Sequence, residues 1–358
     1  MKYILFSVYL ISHILSGQQN IDNSAYFSGF FTKNRGEKKL LLLGENHSSS
    51  AASTIYPELV ELLHEKDQLR TLLIEFGPSE AYFYNRYLES GDKKYLAYTI
   101  YGGFYTDWKK AWEKLYLFNK TLKKPLKVVG VDFDRTRTFG YALYNIFKTC
   151  ENRPAEIDSL MNVIRQPEFY KTYTIGYPTD EGKEFVKKTK DILSRHMEFM
   201  RSALPAEDME VVSELMGNHA VEFGGSREED IGKNITDRIK ASGEKNFLML
   251  VGRDHTYLKP VYNNEKIRLA ELLKKESSFS TLTGLILHEE SQQWDEKYKN
   301  PITLYEVRDK IPWKEFSQAI NKKAKQDFTV IPLTGTLEPL SEYTDYILIA
   351  RNQGPIQF

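Results

Sequence analysis

Cysteine is nearly missing from the 358-residue sequence, and its single copy, Cys150, excludes an internal disulfide and any CxxC metal or redox motif. Charge of one sign is missing too. The 49 Lys and Arg balance 49 Asp and Glu, and a formal charge of zero removes the general attraction that favours nucleic acid or an anionic membrane surface. After the first residues no apolar run approaches the roughly 20 residues needed to cross a bilayer. No Gly-x-Ser-x-Gly elbow presents a serine nucleophile, and Ser48-Ser49-Ser50 reads as a turn and helix start. Gly102-Gly103 and Gly224-Gly225 form neither GxGxxG nor a P-loop, a helical HExxH is lacking, and repeats and low-complexity stretches are absent. What is present, 41% hydrophobic and 27% charged residues, belongs to a folded globular protein long enough to bury its core without disulfides.

The N-terminus reads as an address. Lys2 precedes an apolar run at 3–15, then Ser16-Gly17 and polar Gln18-Gln19-Asn20, the charge, core and small-residue order of a secretory signal. A signal peptide over 1–18, with cleavage near Gly17, predicts an exported protein, periplasmic or secreted, with no membrane span after cleavage. His13 and Ser12 interrupt the apolar core, so a retained interfacial anchor is the alternative. No cysteine follows to carry a lipid.

Downstream, short aliphatic runs alternate with amphipathic stretches, which predicts an α/β domain over 19–358 with a mainly parallel central sheet flanked by helices. The run 40–43 ends in Gly44-Glu45-Asn46-His47, and Thr71–Ile74 ends in Glu75-Phe76-Gly77. The run 128–129 leads to Gly130-Val131-Asp132-Phe133-Asp134, and 247–251 ends in Gly252-Arg253-Asp254-His255. Ligand crevices in such sheets lie outside the carboxyl ends of the strands, so these ionisable groups are expected to meet there. The plainer alternative is that each acid caps the next helix. Helices are expected over 54–65, with Pro57 in its first turn, and over 79–89 and 107–119. The charged helical region 150–225 reads as an inserted cap, and 281–287, 330–333 and 346–350 as further strands separated by a polar region at 292–299.

At Gly44-Glu45-Asn46-His47 and its companions the sequence resembles the erythromycin esterase-like proteins, within a wider group that includes haem-binding lipoproteins with a Gly-Glu-x-His turn. Leu73-Ile74-Glu75, Ala81-Tyr82 with Asn85-Arg86-Tyr87 and Gly91, then Trp108, Trp112-Glu113 and Asn119, follow in the family's order. So do Val129-Gly130-Val131-Asp132, Arg227-Glu228-Glu229-Asp230-Ile231-Gly232-Lys233-Asn234, and Leu250-Val251-Gly252-Arg253-Asp254-His255, so that ordered matches span about 40–256. Two features depart from the macrolide esterases. One residue separates Glu45 from His47 where those enzymes have two, and no arginine precedes His64. The resemblance implies an α/β scaffold whose polar cleft holds two histidines and several carboxylates.

Such a set suits hydrolysis of a small-molecule ester or lactone. Water attacks an ester only when a base removes its proton, and imidazole, with an ordinary pKa of about 6.5, is suited to that work. His47 is the candidate base, oriented by Glu45 or Glu75. His255 would stand on the other side of the scissile bond as electrophile or proton donor. Arg253 would stabilise the oxyanion, and Asp132 would orient a histidine or Arg227, with Asp134 at the rim. No cofactor is required. The competing use of His47, His255 and Glu75 or Glu45 is ligation of a divalent metal, in a metal-dependent hydrolase or a metal-binding protein, or of haem or iron without catalysis. The remaining histidines carry less: His64 as a boundary residue, His196 on a charged helical face, His288 at a strand end, and His219 within reach of the cleft. The 23 tyrosines fit an aromatic core or a partly apolar pocket.

Overall fold

The computed structural model describes residues 21–33, 36–173, 176–220, 226–261, 266–297, 299–303 and 311–358, so the signal segment expected at 1–18 lies outside the described residues. Its strands are β1 (Ile21–Asp22), β2 (Lys39–Glu45), β3 (Thr71–Ile74), β4 (Lys127–Gly130), β5 (Asn246–Gly252), β6 (Ser280–Glu289), β7 (Gln292–Asp295), β8 (Asn300–Thr303), β9 (Phe328–Pro332) and β10 (Tyr346–Arg351). Eight of them form one sheet in the order β1-β9-β10-β6-β2-β5-β3-β4, while β7 and β8 pair as a separate hairpin. The large sheet is parallel except where β9 runs against β10, so the expected α/β architecture is the one observed.

Burial explains the layers. Every residue of β2 is buried, as a parallel strand covered on both faces requires. Its side chains alternate: Leu41 and Leu43 pack toward the helices Ala51–Asp67, Pro78–Ser90 and Thr106–Asn119. Leu40 and Leu42 join β5 and the helices Arg227–Ala241 and Leu269–Lys275 on the other face. A third cluster gathers β6, β9 and β10 under the helix Trp313–Lys323.

Register then places the polar strand ends. Glu45 stands opposite Gly252, and Ile74 stands opposite both Leu250 and Gly130. Glu75, Asp132 and the turn Arg253–Thr256 therefore leave the sheet beside Glu45, at its carboxyl edge.

Helices fall where periodicity placed them, with one correction. The first long helix starts at Ala51, not at 54, so Pro57 sits in its interior and removes one ladder hydrogen bond. Region 150–225 contains the helices Ala155–Arg165, Pro167–Thr172, Asp180–Arg195, Met197–Ala203 and Ala206–Met216, of which Ala155–Arg165 and Asp180–Arg195 pack on Thr136–Phe147 and Ala206–Met216 packs on Pro78–Ser90.

Candidate functional site

The strand ends bring their charged groups into one alternating chain of contacts. His47 Nδ1 bonds to Glu45 Oε1, at the tip of β2. Its other nitrogen, Nε2, lies 3.8 Å from Glu75 Oε2, one residue past β3. The same Glu75 oxygen accepts the backbone N–H of Gly252 at 2.6 Å. Glu75 Oε1 is shared by two cations, Arg227 Nη2 at 3.0 Å and His255 Nε2 at 3.1 Å. Behind them Arg227 donates to both oxygens of Asp132, at 2.5 and 3.2 Å. His255 Nδ1 lies 2.8 Å from Glu228. Four carboxylates thus face three cationic groups.

Access is graded through this chain. The His47 side chain is 52% exposed, Glu75 11%, His255 8% and Glu45 2%. His47 is the most exposed member of the chain, ahead of Glu228 and Arg227.

The electrostatics follow from the pairing. Burial alone would lower the His47 imidazole, but the charge and hydrogen bond of Glu45, helped by Glu75, push it up to about 9. Burial would likewise lower His255, yet Glu75 and Glu228 push it up to about 10, and with a carboxylate at each ring nitrogen it is a stable imidazolium. Burial would raise Glu75, but His255, His47 and Arg227 hold its carboxyl far below the usual range. Asp132 is raised by burial, against the opposing pull of Arg227.

Packing is close at His47 and locks the residues beneath it. A Cβ on Gly252 would lie 2.9 Å from His47 Nε2 and 3.4 Å from Glu75 Oε2, so glycine is required there for space. Asn234 lies two turns beyond Arg227 on the same helix face and donates to the Val131 carbonyl at 2.9 Å and to Asn218 Oδ1 at 2.7 Å. Asn218 in turn donates to the Asp132 carbonyl at 2.9 Å, which fixes the turn carrying Asp132.

Six of the seven residues read from sequence, Glu45, His47, Glu75, Asp132, Arg227 and His255, are in this cluster. Arg253 opens the turn that carries His255, with a half-buried side chain and its Cα against Gly44. Asp134 corrects the expectation of a rim residue. It is buried and accepts the Ser79 N–H at 2.8 Å and Asn218 Nδ2 at 2.9 Å, so it holds the start of the earlier helix Pro78–Ser90 and does not cap the helix that follows it. His219 turns toward Asp237 at 3.3 Å, His196 pairs with Glu156, and His64 bonds the Leu69 carbonyl at the end of its helix.

Two members were missed. Glu228 stands in a run of three first-turn acids, where a helix dipole accounts for all of them equally. Tyr101 comes from a short helix, Ile100–Phe104, within a tyrosine-rich stretch, and its hydroxyl lies 2.9 Å from His47 Nδ1 and 3.3 Å from Glu45 Oε1. The Glu-x-His spacing signalled only the pair it contacts.

The suggested metal ligands His47, Glu75 and His255 are bound up in ion pairs with carboxylates or with one another. Among the described residues no group of three or more His, Cys, Asp or Glu is placed to hold a metal ion.

No protein-family model matches the sequence, and no curated protein matches it. Solved structures do resemble it. A Bacillus cereus protein superposes with a TM-score of 0.62 at 13% identity, covering 90% of each chain. A succinoglycan biosynthesis protein does so at 0.61 and 14%, again over 90% of each. A histidine-to-asparagine mutant of an erythromycin esterase, in its open conformation, matches at 0.57 and 12% over 87% of this chain and 90% of its own. Likeness at this identity speaks for the fold alone, and the fold shared with the erythromycin esterase is the one expected from the ordered matches over about 40–256.

Proposed function

We propose that the protein is a hydrolase of the erythromycin esterase-like type, cleaving a carboxylic ester or lactone by attack of water activated by His47. The observation that carries this reading is the arrangement of His47 itself. Its Nδ1 is held by Glu45, its Nε2 lies against Gly252 and 3.8 Å from Glu75, and its side chain is half-exposed to a reactant arriving from solvent. Glu45 orients the ring and stabilises the imidazolium that forms when water gives up its proton. A base raised to about 9 is strong when neutral but is about 99% protonated at pH 7. Turnover is therefore expected to climb with pH.

His255 supports the reaction from beneath. Enclosed and doubly bonded, it holds Glu75 in place and keeps positive potential under the reacting centre, while Arg253, on the same turn, is the cation assigned to the developing oxyanion. Export to the periplasm or medium belongs to the same reading and rests on residues 1–18.

The test is hydrolysis of p-nitrophenyl esters and simple lactones by the purified protein, with and without chelator. His47→Ala is expected to lower turnover by about 10²–10⁴ with folding unchanged. Unaltered turnover in that variant removes His47 from the role of base. A Soret band or stoichiometric iron in the purified protein, with no ester cleaved, would replace the hydrolase by a binding protein.

A further inference from the structure

Glu80 lies outside the charged cluster, yet it is only 1% exposed. It sits in the first turn of Pro78–Ser90. One carboxylate oxygen accepts the backbone N–H of Ile100 at 2.7 Å, and the other faces Arg135 Nη1 at 3.4 Å. Ile100 opens the short helix whose next residue is Tyr101. The Arg135 guanidinium in turn lies 4.7 Å from the Phe76 ring, and Phe76 meets Tyr101 edge-on at 4.9 Å. Tyr101 also stacks on Trp108 at 4.5 Å, the rings nearly parallel. Both arms of the buried carboxylate thus lead to the side chain whose hydroxyl touches Glu45 and His47.

Packing alone does not call for an acid here. A glutamine would accept the Ile100 N–H equally well, without an enclosed charge. The groups facing Glu80 are Arg135 and Asp134 from the turn after β4, Tyr84 from its own helix, and the Ile100 N–H. Burial, reinforced by Asp134 and only partly offset by Arg135 and Ile100, pushes Glu80 up to about 7.

We propose that Glu80 is a positioning residue: as a carboxylate it clamps Ile100 and Arg135 together and so holds Tyr101 against the Glu45–His47 pair, and its protonation opens the clamp. A proton on the oxygen facing Ile100 replaces a charged acceptor with a poor one. On the other oxygen it removes the negative charge opposite the guanidinium. Either way one arm is lost. The effect on rate rests on the hydrolase reading, whereas the placement of Tyr101 does not.

The experiment places 3-fluorotyrosine at position 101 of the full chain and follows its ¹⁹F signal from about pH 5 to about pH 9, with p-nitrophenyl butyrate hydrolysis measured in parallel. Burial holds the Tyr101 phenol well above its ordinary range, so the phenol stays neutral throughout. An inflection near pH 7, distinct from any given by His47 near 9, is expected in the wild type and is removed by Glu80→Gln. In the same window kcat falls more steeply below about pH 7 than above it, KM is unmoved, and Glu80→Gln restores a single slope. An inflection that persists in Glu80→Gln, or a wild type without one, overturns the proposal. If Glu80→Gln does not fold, Arg135→Gln takes its place: loss of the cation moves the inflection to higher pH, and an unmoved inflection overturns the proposal. Loss of the inflection in Glu80→Gln with no ester cleaved at all upholds the clamp and defeats the hydrolase reading.

Discussion

His47 differs from every other member of its cluster in being both paired and exposed. Pairing with Glu45 gives it a high proton affinity, while exposure gives it access to a reactant. The two properties can be separated by Glu45→Gln, which keeps the shape of the partner and removes its charge. Glu45 stabilises the imidazolium, so its neutralisation lowers the pKa of His47 from about 9 toward the ordinary histidine value. The neutral base then appears at lower pH. The rising limb of kcat/KM against pH is expected to shift downward by about one unit or more, with a lower plateau because the amide orients the ring less firmly. A limb that stays at its wild-type position would show that some other group is the base. Residue identity alone exposed most of this cluster, because ionisable side chains at the ends of buried strands have few structural reasons to be there. Tyr101 stayed hidden for the opposite reason: one tyrosine among 23 carries no mark of its partner.

At the scale of elements, β5 and its turn organise the site. The strand delivers Gly252 opposite Glu45, and the following 3₁₀ turn delivers His255 beneath Glu75. Gly252 has an ordinary extended backbone, φ −52° and ψ 134°, so an alanine there is not strained by its dihedrals. What it meets is His47. With a methyl 2.9 Å from Nε2, Gly252→Ala is expected to push the imidazole aside, lowering turnover by about 10²-fold while thermal stability changes little. Wild-type turnover in a folded Gly252→Ala protein would mean that the seating of the imidazole against Gly252 does not matter to the chemistry. Strands of this kind were legible because a buried parallel strand must be aliphatic throughout. The β7–β8 hairpin was not. Gln-Gln-Trp-Asp has no aliphatic residue, and 292–299 read as a polar spacer. Nor does composition carry direction, so the reversal of β9 against β10 became visible only in the register.

The molecule as a whole adds a connection that no local pattern announces: its last residues cross the site's outer edge. Ser50 donates from N and Oγ to the Gly354 carbonyl, both at 3.0 Å, and the Ile356 N–H reaches the carbonyl of Ser48, the residue after His47, at 3.0 Å. Thr106 N–H donates to the Gln357 carbonyl at 2.8 Å, and Gln357 N–H to Asp107 at 3.0 Å. The Phe358 ring lies 5.1 Å from Tyr105 and 5.4 Å from Trp294. Residues 354–358 therefore tie the His47 turn to the segment that follows Tyr101, from opposite sides of the same contact. They contribute no strand to the large sheet, so their deletion leaves its pairing intact. Deleting 354–358 is expected to preserve the circular dichroism spectrum and lower kcat by about tenfold or more, since displacement of a catalytic group by about 1 Å is enough for losses of that size. The same deletion should leave the separation between Glu45→Gln and wild-type pH limbs unchanged, because Glu45 belongs to β2 and not to the strap. A truncated protein with full turnover would mean that β2, β3 and β5 hold His47 and Tyr101 in register unaided, and that the terminal strap serves stability alone.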